Sequence, residues 1–187
     1  MLDEPGDVEP RPHPNCYWLL TGQMLAGEYP ASPFQTDSTM RVDALLDAGI
    51  RQFIDLTEEH EGPGPYVAIL DERARSRNLR VVHRRFAIPD FGVPSAALMR
   101  VVLDEIYGAI AAGDPVYVHC WGGIGRTGTV VGCLLREQGF DANSALALIG
   151  RKWQSMEKRI RHPKSPEWPE QFAFIEAWPE QGRPDPS

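Results

Sequence analysis

The residues best suited to chemistry form one stretch, His119-Cys120-Trp121-Gly122-Gly123-Ile124-Gly125-Arg126-Thr127-Gly128. A strand-like run, Pro115 to His119, leads into it, and a helix-like run, Gly128 to Gln138, follows. Glycines at 122, 123 and 125 permit positive φ, so the backbone can curl tightly and aim successive N–H groups inward as an anion nest. A helix beginning near Arg126 adds unpaired N–H groups and the positive end of its dipole. Arg126 adds a planar fork that can hold two oxygen atoms. These parts make a socket for a tetrahedral, phosphate-like dianion, with Cys120 at its mouth. An electropositive loop favours the thiolate form of a cysteine. A thiolate aimed at phosphorus is a nucleophile for phosphoryl transfer, and the socket neutralises the oxygens that would repel it. Trp121, Gly122, Gly123, Ile124, Gly125 and Arg126 are therefore the candidate substrate-binding residues. The bland alternative is a tight glycine turn with an ordinary buried cysteine. Each further matched position, at His119, Gly123, Gly125, Thr127 and Gly128, argues against it. No Lys precedes Thr127, so the loop is not a Walker A loop.

Such a stretch needs a strand and a helix to hold it. Cys16–Leu20 and Gln23–Glu28 read as a hairpin around Thr21-Gly22. A helix is predicted from about Ser38 to Ala48, capped by Ser38 or Asp37 and ended by Gly49. Gln52–Leu56 and Arg80–His83 read as strands, with a helix over Pro65–Asn78 between them. An irregular loop covers Ala87–Pro94. Ser95 caps a helix over Ala96–Ala112, Asp141 caps another over Ala142–Gln154, and a last helix spans Trp168–Trp178. Strands alternating with helices predict one α/β domain with a central, mainly parallel sheet flanked by helices. Ligands of such sheets sit at the carboxyl ends of strands, against helix N-termini, where Cys120 falls. The domain is expected over 16–178, with a flexible polar arm over 1–15 and a flexible tail over 179–187.

With 187 residues the chain suits one domain with one sizeable core. A net charge of −7 argues against nucleic acid as the main partner. No apolar run approaches the ~20 residues of a membrane helix, and the start has neither a basic nor an apolar signal region. A cytoplasmic monomer without membrane association is the resulting expectation. Cys16, Cys120 and Cys133 are too few and too scattered for a disulfide framework or a zinc site. Cys16 and Cys133 are expected to be buried thiols.

His119-Cys120, five residues, then Arg126-Thr127-Gly128 resembles the active-site signature of the protein tyrosine phosphatase superfamily. The run Gly123-Ile124-Gly125-Arg126-Thr127-Gly128 is similar to its tyrosine-specific and dual-specificity branches. Ile88-Pro89-Asp90-Phe91-Gly92-Val93-Pro94 resembles the general-acid loop of dual-specificity enzymes. Ser165-Pro166-Glu167 with Gln171 and Phe174 is similar to the glutamine-bearing segment of the family, and Trp18 to Pro30 to the opening hairpin of its small members. The resemblance implies Asp90 as general acid, Thr127 as the group that stabilises the departing sulfur, His119 as a residue that orders the loop, and Gln171 as a residue that positions water. It implies neither metal nor cofactor.

On this reading the chain hydrolyses phosphomonoesters, with phosphotyrosine and also phosphoserine or phosphothreonine in proteins as substrates, through a cysteinyl-phosphate. A phosphorylated small metabolite or inositol phosphate is the alternative substrate. The loop interior lacks Lys, which disfavours phosphoinositides. A phosphate-binding pseudoenzyme is the rival from another class, but a binder has no use for a nucleophile. Sulfur transfer would not need Asp90 or Thr127, and arsenate reduction would need shuttling cysteines that this spacing does not supply. Asp55 and Glu58 read as polar strand-end residues that line the rim. Arg151, Lys152, Lys158, Arg159, Arg161 and Lys164 read as a solvated basic face.

Overall fold

The computed structural model describes residues 10–179, apart from 33, 63 and 65. In chain order the elements are β1 (Cys16–Leu20), β2 (Met24–Gly27), α1 (Gln35–Asp47), β3 (Gln52–Asp55), α2 (Val67–Ser76), β4 (Val82–Arg85), α3 (Ala96–Ala111), β5 (Val116–His119), α4 (Gly125–Glu137), α5 (Ala142–Trp153), a 3₁₀ turn (Glu157–Ile160) and α6 (Pro169–Ala177). The five strands form one sheet in the order β1-β2-β5-β3-β4. Only β1 with β2 is antiparallel; β2–β5, β5–β3 and β3–β4 are parallel. The expected α/β architecture with a mainly parallel sheet is the one observed.

Alternation along the strands divides the interior into two layers. Val116 and Val118 of β5 join Ile54, Met24 and the inner faces of α3, α4, α5 and α6. Tyr117, Phe53 and Leu25 point the other way, onto Val42, Leu45 and Leu70 of α1 and α2. This is the period of two that β geometry imposes on a strand covered on both faces. Each fully buried Val, Leu or Ile contributes about 1.5–3 kcal/mol, so the layers fix β5 and hence the position of the residue that follows it. On α3, Met99, Val102, Leu103 and Ile106 are buried at helical spacing.

The helix starts follow sequence chemistry in two places and depart from it in two. The Ser95 hydroxyl accepts the Leu98 N–H at 3.1 Å, and the Asp141 carboxylate accepts the Ser144 N–H at 2.8 Å, as N-caps do. Helix α1 instead starts at Gln35, behind Phe34. Ser38 lies inside its first turn, where its hydroxyl accepts the Ser32 N–H at 2.9 Å. Helix α4 starts at Gly125, earlier than Gly128. Strand β4 is displaced to Val82–Arg85, because parallel register with β3 sets Arg85 opposite Asp55 and lets the two pair at 3.1 Å.

Residues 1–9 and 180–187 lie outside the described residues, with most of the expected arm and tail. Residues 10–15 run against the domain. Arg11 Nη1 donates to Ser155 O at 2.8 Å, and the buried His13 ring meets Tyr117 OH at 3.1 Å. Among the described residues no helix is long and apolar enough to cross a membrane.

Candidate active site

Strand β5 ends at His119, and Cys120 is the first residue past the carboxyl edge of the sheet. The loop from Cys120 to Ile124 closes onto α4, whose N-terminus carries no side-chain cap. Gly128 N–H donates to Ile124 O at 3.2 Å; helix geometry leaves the amides before it without intrahelical partners. Of the three loop glycines only Gly123 takes positive φ, at 71°. A Cβ there would stand 2.4 Å from the backbone carbon of Gly27, so the loop packs on β2 through a position that admits no side chain. Gly125 serves close approach rather than a turn: a Cβ on it would lie 2.6 Å from Gln171 Nε2. The loop is tied from outside as well. Ser165 Oγ donates to Ile124 O at 2.7 Å, and Lys158 Nζ donates to Gly122 O at 3.1 Å.

Arg126 is 2% exposed and points its guanidinium at three oxygen-bearing groups. Nη1 and Nη2 donate to the two carboxylate oxygens of Glu61, each at 2.6 Å. Nη1 also donates to Ile88 O at 3.0 Å, and Nη2 lies 2.9 Å from Asp90 Oδ1. Burial works against the Arg126 cation, but Glu61, Cys120 and Asp90 outweigh it and raise its pKa. Burial likewise raises the Glu61 carboxyl, and the Arg126 hydrogen bonds reverse this, leaving it below its ordinary value. Glu61 belongs to the β3–α2 connection, in a turn where Glu58 N–H donates to Glu61 Oε1 at 2.8 Å. Glu58 in turn accepts the Asp90 N–H at 3.3 Å.

Beneath the loop lies a buried polar network. His119 Nε2 meets Tyr66 OH at 2.8 Å, and Nδ1 lies 3.4 Å from Cys120 O. Burial pushes the His119 imidazole down to about 4 against the opposing pull of Asp55. The neutral ring is thus held between Tyr66 and the carbonyl of Cys120. Asp55 is not at the rim: it is fully buried. Burial raises its carboxyl, but hydrogen bonds from His83 and Thr57 and the His119 ring hold it well below the usual carboxylate range. Thr127 is fully buried and its hydroxyl has no hydrogen-bond partner. Burial raises the Cys16 thiol to about 12 and raises Cys133 as well, so both stay protonated core thiols.

A cavity opens over this arrangement. Cys120, Gly122, Ile124, Gly125 and Arg126 line it from the loop, Asp90 and Phe91 from the segment after β4, and Glu167, Trp168 and Gln171 from the start of α6. Thus Asp90, distant in sequence, meets Cys120 and Arg126 in one space. Trp121 and Gly123 are not among its lining residues. The Trp121 ring turns instead to Tyr29, with centroids 5.7 Å apart. Gln171 is almost fully buried, and its amide is committed at both ends. Oε1 accepts the Glu167 and Trp168 N–H groups at 3.1 and 3.2 Å, and Nε2 donates to Gly92 O at 3.2 Å. The basic segment also divides: Lys152 is buried and Lys158 holds the loop, while Arg151, Arg159, Arg161 and Lys164 are exposed.

Sequence reasoning missed Glu61 and Tyr66, and it placed Ser165 only within the glutamine-bearing segment, without its bond to the loop. The run Glu58-Glu59-His60-Glu61 after a parallel strand was the available signal for the first, since a buried arginine beside that edge needs a counter-charge.

A cysteine loop wrapped on a helix N-terminus at the carboxyl end of a central parallel strand defines the protein tyrosine phosphatase class of α/β domain. The family model described as Swiss Army Knife protein, DSP-PTPase phosphatase domain, matches residues 13–166, and the chain belongs to that family. A putative tyrosine phosphatase, 067L, of Invertebrate iridescent virus 3 is 26% identical over 128 residues, covering 63% of this chain and 44% of the viral protein. Human receptor-type tyrosine-protein phosphatase C is 27% identical over 115 residues, 56% of this chain and 9% of the receptor. The chain therefore matches less than half the length of either relative. The crystal structure of Tk-PTP in the active form superposes with a TM-score of 0.65 at 25% identity, covering 89% of this chain and 97% of that one.

Proposed function

We propose that the chain hydrolyses phosphomonoesters, with phosphotyrosine in proteins as the main substrate, through a cysteinyl-phosphate and without a metal ion. The observation that carries this reading is the meeting of Cys120, Arg126 and Asp90 around one cavity at the uncapped N-terminus of α4. In the first step Cys120 Sγ, as thiolate, attacks phosphorus. The S–P bond forms, the ester P–O bond breaks, and Asp90 gives its proton to the leaving oxygen. Loop amides and Arg126 hold the equatorial oxygens while charge spreads over them. In the second step water attacks phosphorus, Asp90 takes its proton and the S–P bond breaks. The unpartnered Thr127 hydroxyl is then free to donate to the departing thiolate, and inorganic phosphate leaves.

Arg126 is prepared for this sequence. Glu61 holds the Nη1–Nη2 edge, which leaves the Nε–Nη2 edge for substrate once Asp90 turns from Nη2 toward the leaving oxygen. Gln171, committed to Gly92 and to the start of α6, acts first as the brace of the Asp90 loop, with any water placed through that brace. Substrate size follows from the cavity. Its volume of about 40 Å³ lies far below the ~300–1,000 Å³ of ordinary ligand sites, which leaves room for no more than about one phosphoryl group. Among the described residues Arg126 is the one cation that lines it, while Asp90 and Glu167 bring carboxylates. A second phosphate would meet repulsion there, which disfavours inositol polyphosphates.

The test is hydrolysis of an aryl phosphate in the presence of a chelator by wild type, Cys120→Ser and Asp90→Ala. Full loss with Cys120→Ser and a fall of about 10²-fold or more with Asp90→Ala support the reading. Vanadate binding without turnover by wild type would replace it with a phosphate-binding module.

A further inference from the structure

Lys158, read from sequence as part of a solvated basic face, is bound to the cysteine loop. Its Nζ donates to Gly122 O at 3.1 Å and pairs with Glu28 Oε2 at 2.5 Å. Glu28 is itself buried and takes Arg41 Nη1 on its other oxygen at 2.8 Å. Asn15 joins the two partners: its Oδ1 accepts the Lys158 N–H at 3.2 Å, and its carbonyl accepts the Glu28 N–H at 3.1 Å. A frame built from the entry to β1 and the exit of β2 thus places the ammonium. Glu28 offsets its charge, so what Lys158 supplies to the loop is direction more than field.

Two further ties hold the loop from outside. Tyr29 N–H donates to Trp121 O at 3.1 Å, and Ser165 Oγ donates to Ile124 O at 2.7 Å. Tyr29, Lys158 and Ser165 lie outside the lining of the cavity, whereas Gly122, Ile124 and Gly125 belong to it. The three carbonyls are therefore drawn away from the cavity. In a trans peptide the next N–H points opposite to the carbonyl, so the ties turn the Gly122, Gly123 and Gly125 amides the other way. Among the described residues none of these amides has an acceptor. The Gly122–Gly123 plane differs from its neighbours. Glycine on both sides leaves the two torsions that rotate it, ψ of Gly122 and φ of Gly123, the freest in the loop. Its anchor is the one cation among the three ties.

We propose that Lys158 is a positioning residue: by holding Gly122 O outward it keeps the Gly123 N–H turned toward the phosphoryl group. The proposal rests on the reading of the Cys120 loop as a phosphate socket. An amide that faces a phosphoryl oxygen donates a charge-assisted hydrogen bond. With the plane turned over, the Gly122 carbonyl would face the same oxygen and repel it. The interaction changes sign, so a loosened anchor is felt at the anion. Lys158 itself touches neither substrate nor Cys120 in this scheme and acts only through Gly122.

Three variants of the full chain provide the test. Lys158→Met keeps the apolar stem and removes the donor, Lys158→Arg keeps a cationic donor, and Arg41→Met removes another partner of Glu28. Vanadate binding is read by calorimetry, which needs no turnover, beside kcat/KM for an aryl phosphate and a thermal melt. Lys158→Met is expected to weaken vanadate about tenfold or more and to lower kcat/KM by a similar factor, the worth of one hydrogen bond to a charged group. Lys158→Arg should return both to within about threefold of wild type. Arg41→Met should leave both within about twofold, whatever it does to the melting temperature. Unchanged vanadate affinity in Lys158→Met overturns the anchor while leaving the cysteine mechanism intact. A loss that Arg41→Met reproduces, or that Lys158→Arg does not reverse, also overturns it. A wild type that neither binds vanadate nor turns over substrate overturns the socket and the anchor together.

Discussion

Arg126 has five N–H donors, and Glu61, Ile88 and Asp90 occupy its two terminal nitrogens. Its guanidinium is thereby fixed in plane and rotation before any substrate arrives, which is how a buried group contributes most to a transition state. Glu61 should consequently matter as much for orientation as for charge. Glu61→Gln is expected to lower kcat/KM for an aryl phosphate about tenfold, mostly in kcat, because the fork loses one charge-assisted bond. Steady-state kinetics with a thermal melt will check this, and an unchanged kcat would remove Glu61 from the site. Cys120 and Arg126 were singled out in sequence by their spacing within one loop and Asp90 by the resemblance of its segment, and all three line one cavity. Glu61 was not singled out. Three carboxylates occur between 58 and 61, and only the folded turn, with Glu58 N–H on Glu61 Oε1, selects which one reaches Arg126.

The same contrast appears among the elements. Glycine-rich character marked the loop in sequence, but the separate reasons for its glycines are tertiary. Gly123 is needed for φ and for contact with Gly27 backbone, Gly125 for contact with Gln171. Gly123→Ala is expected to cost on the order of 3 kcal/mol, from overpacking against immobile backbone and a left-handed conformation, and to abolish turnover. Gly150 in α5 has nothing within 4 Å of a new Cβ and no positive φ, so Gly150→Ala should stabilise by about 0.5–1 kcal/mol. Urea denaturation of the pair reads both signs, and a neutral Gly123→Ala would refute the loop packing described here. Caps at Ser95 and Asp141 were readable because capping is local chemistry. The two-residue displacement of β4 was not, since register with β3 is decided by Arg85 meeting Asp55 across the sheet.

For the molecule as a whole, two buried histidines couple stability to pH. Burial lowers His13 and His119 to about 4, whereas an unfolded histidine titrates near 6.5. Between these values the unfolded chain binds the extra protons. Their stabilising contribution is complete above about pH 6.5 and is lost as pH falls toward 4. From pH 7.5 to 5.0 each histidine should remove about 2 kcal/mol. Urea midpoints at the two values will show this, and His13→Gln should halve the difference. A midpoint insensitive to pH would contradict neutral burial of both rings. Strand-like runs alternating with helix-like runs made the α/β plan readable from sequence; the packing of residues 10–15 on Tyr117 and Ser155 was not readable, because a Pro-rich polar segment gives no periodic signal. The sheet order has a consequence in time. β5 is bonded to a neighbour along both edges, so its amides should exchange with deuterium only when the whole domain opens. The loop bearing Asp90 lies outside the sheet and is held by side chains, Arg126, Glu58 and Gln171, and by the Phe91–Trp168 contact, so its amides should exchange orders of magnitude sooner. Cys120, the residue after β5, therefore sits beside the slowest clock of the molecule and Asp90 on one of its fastest.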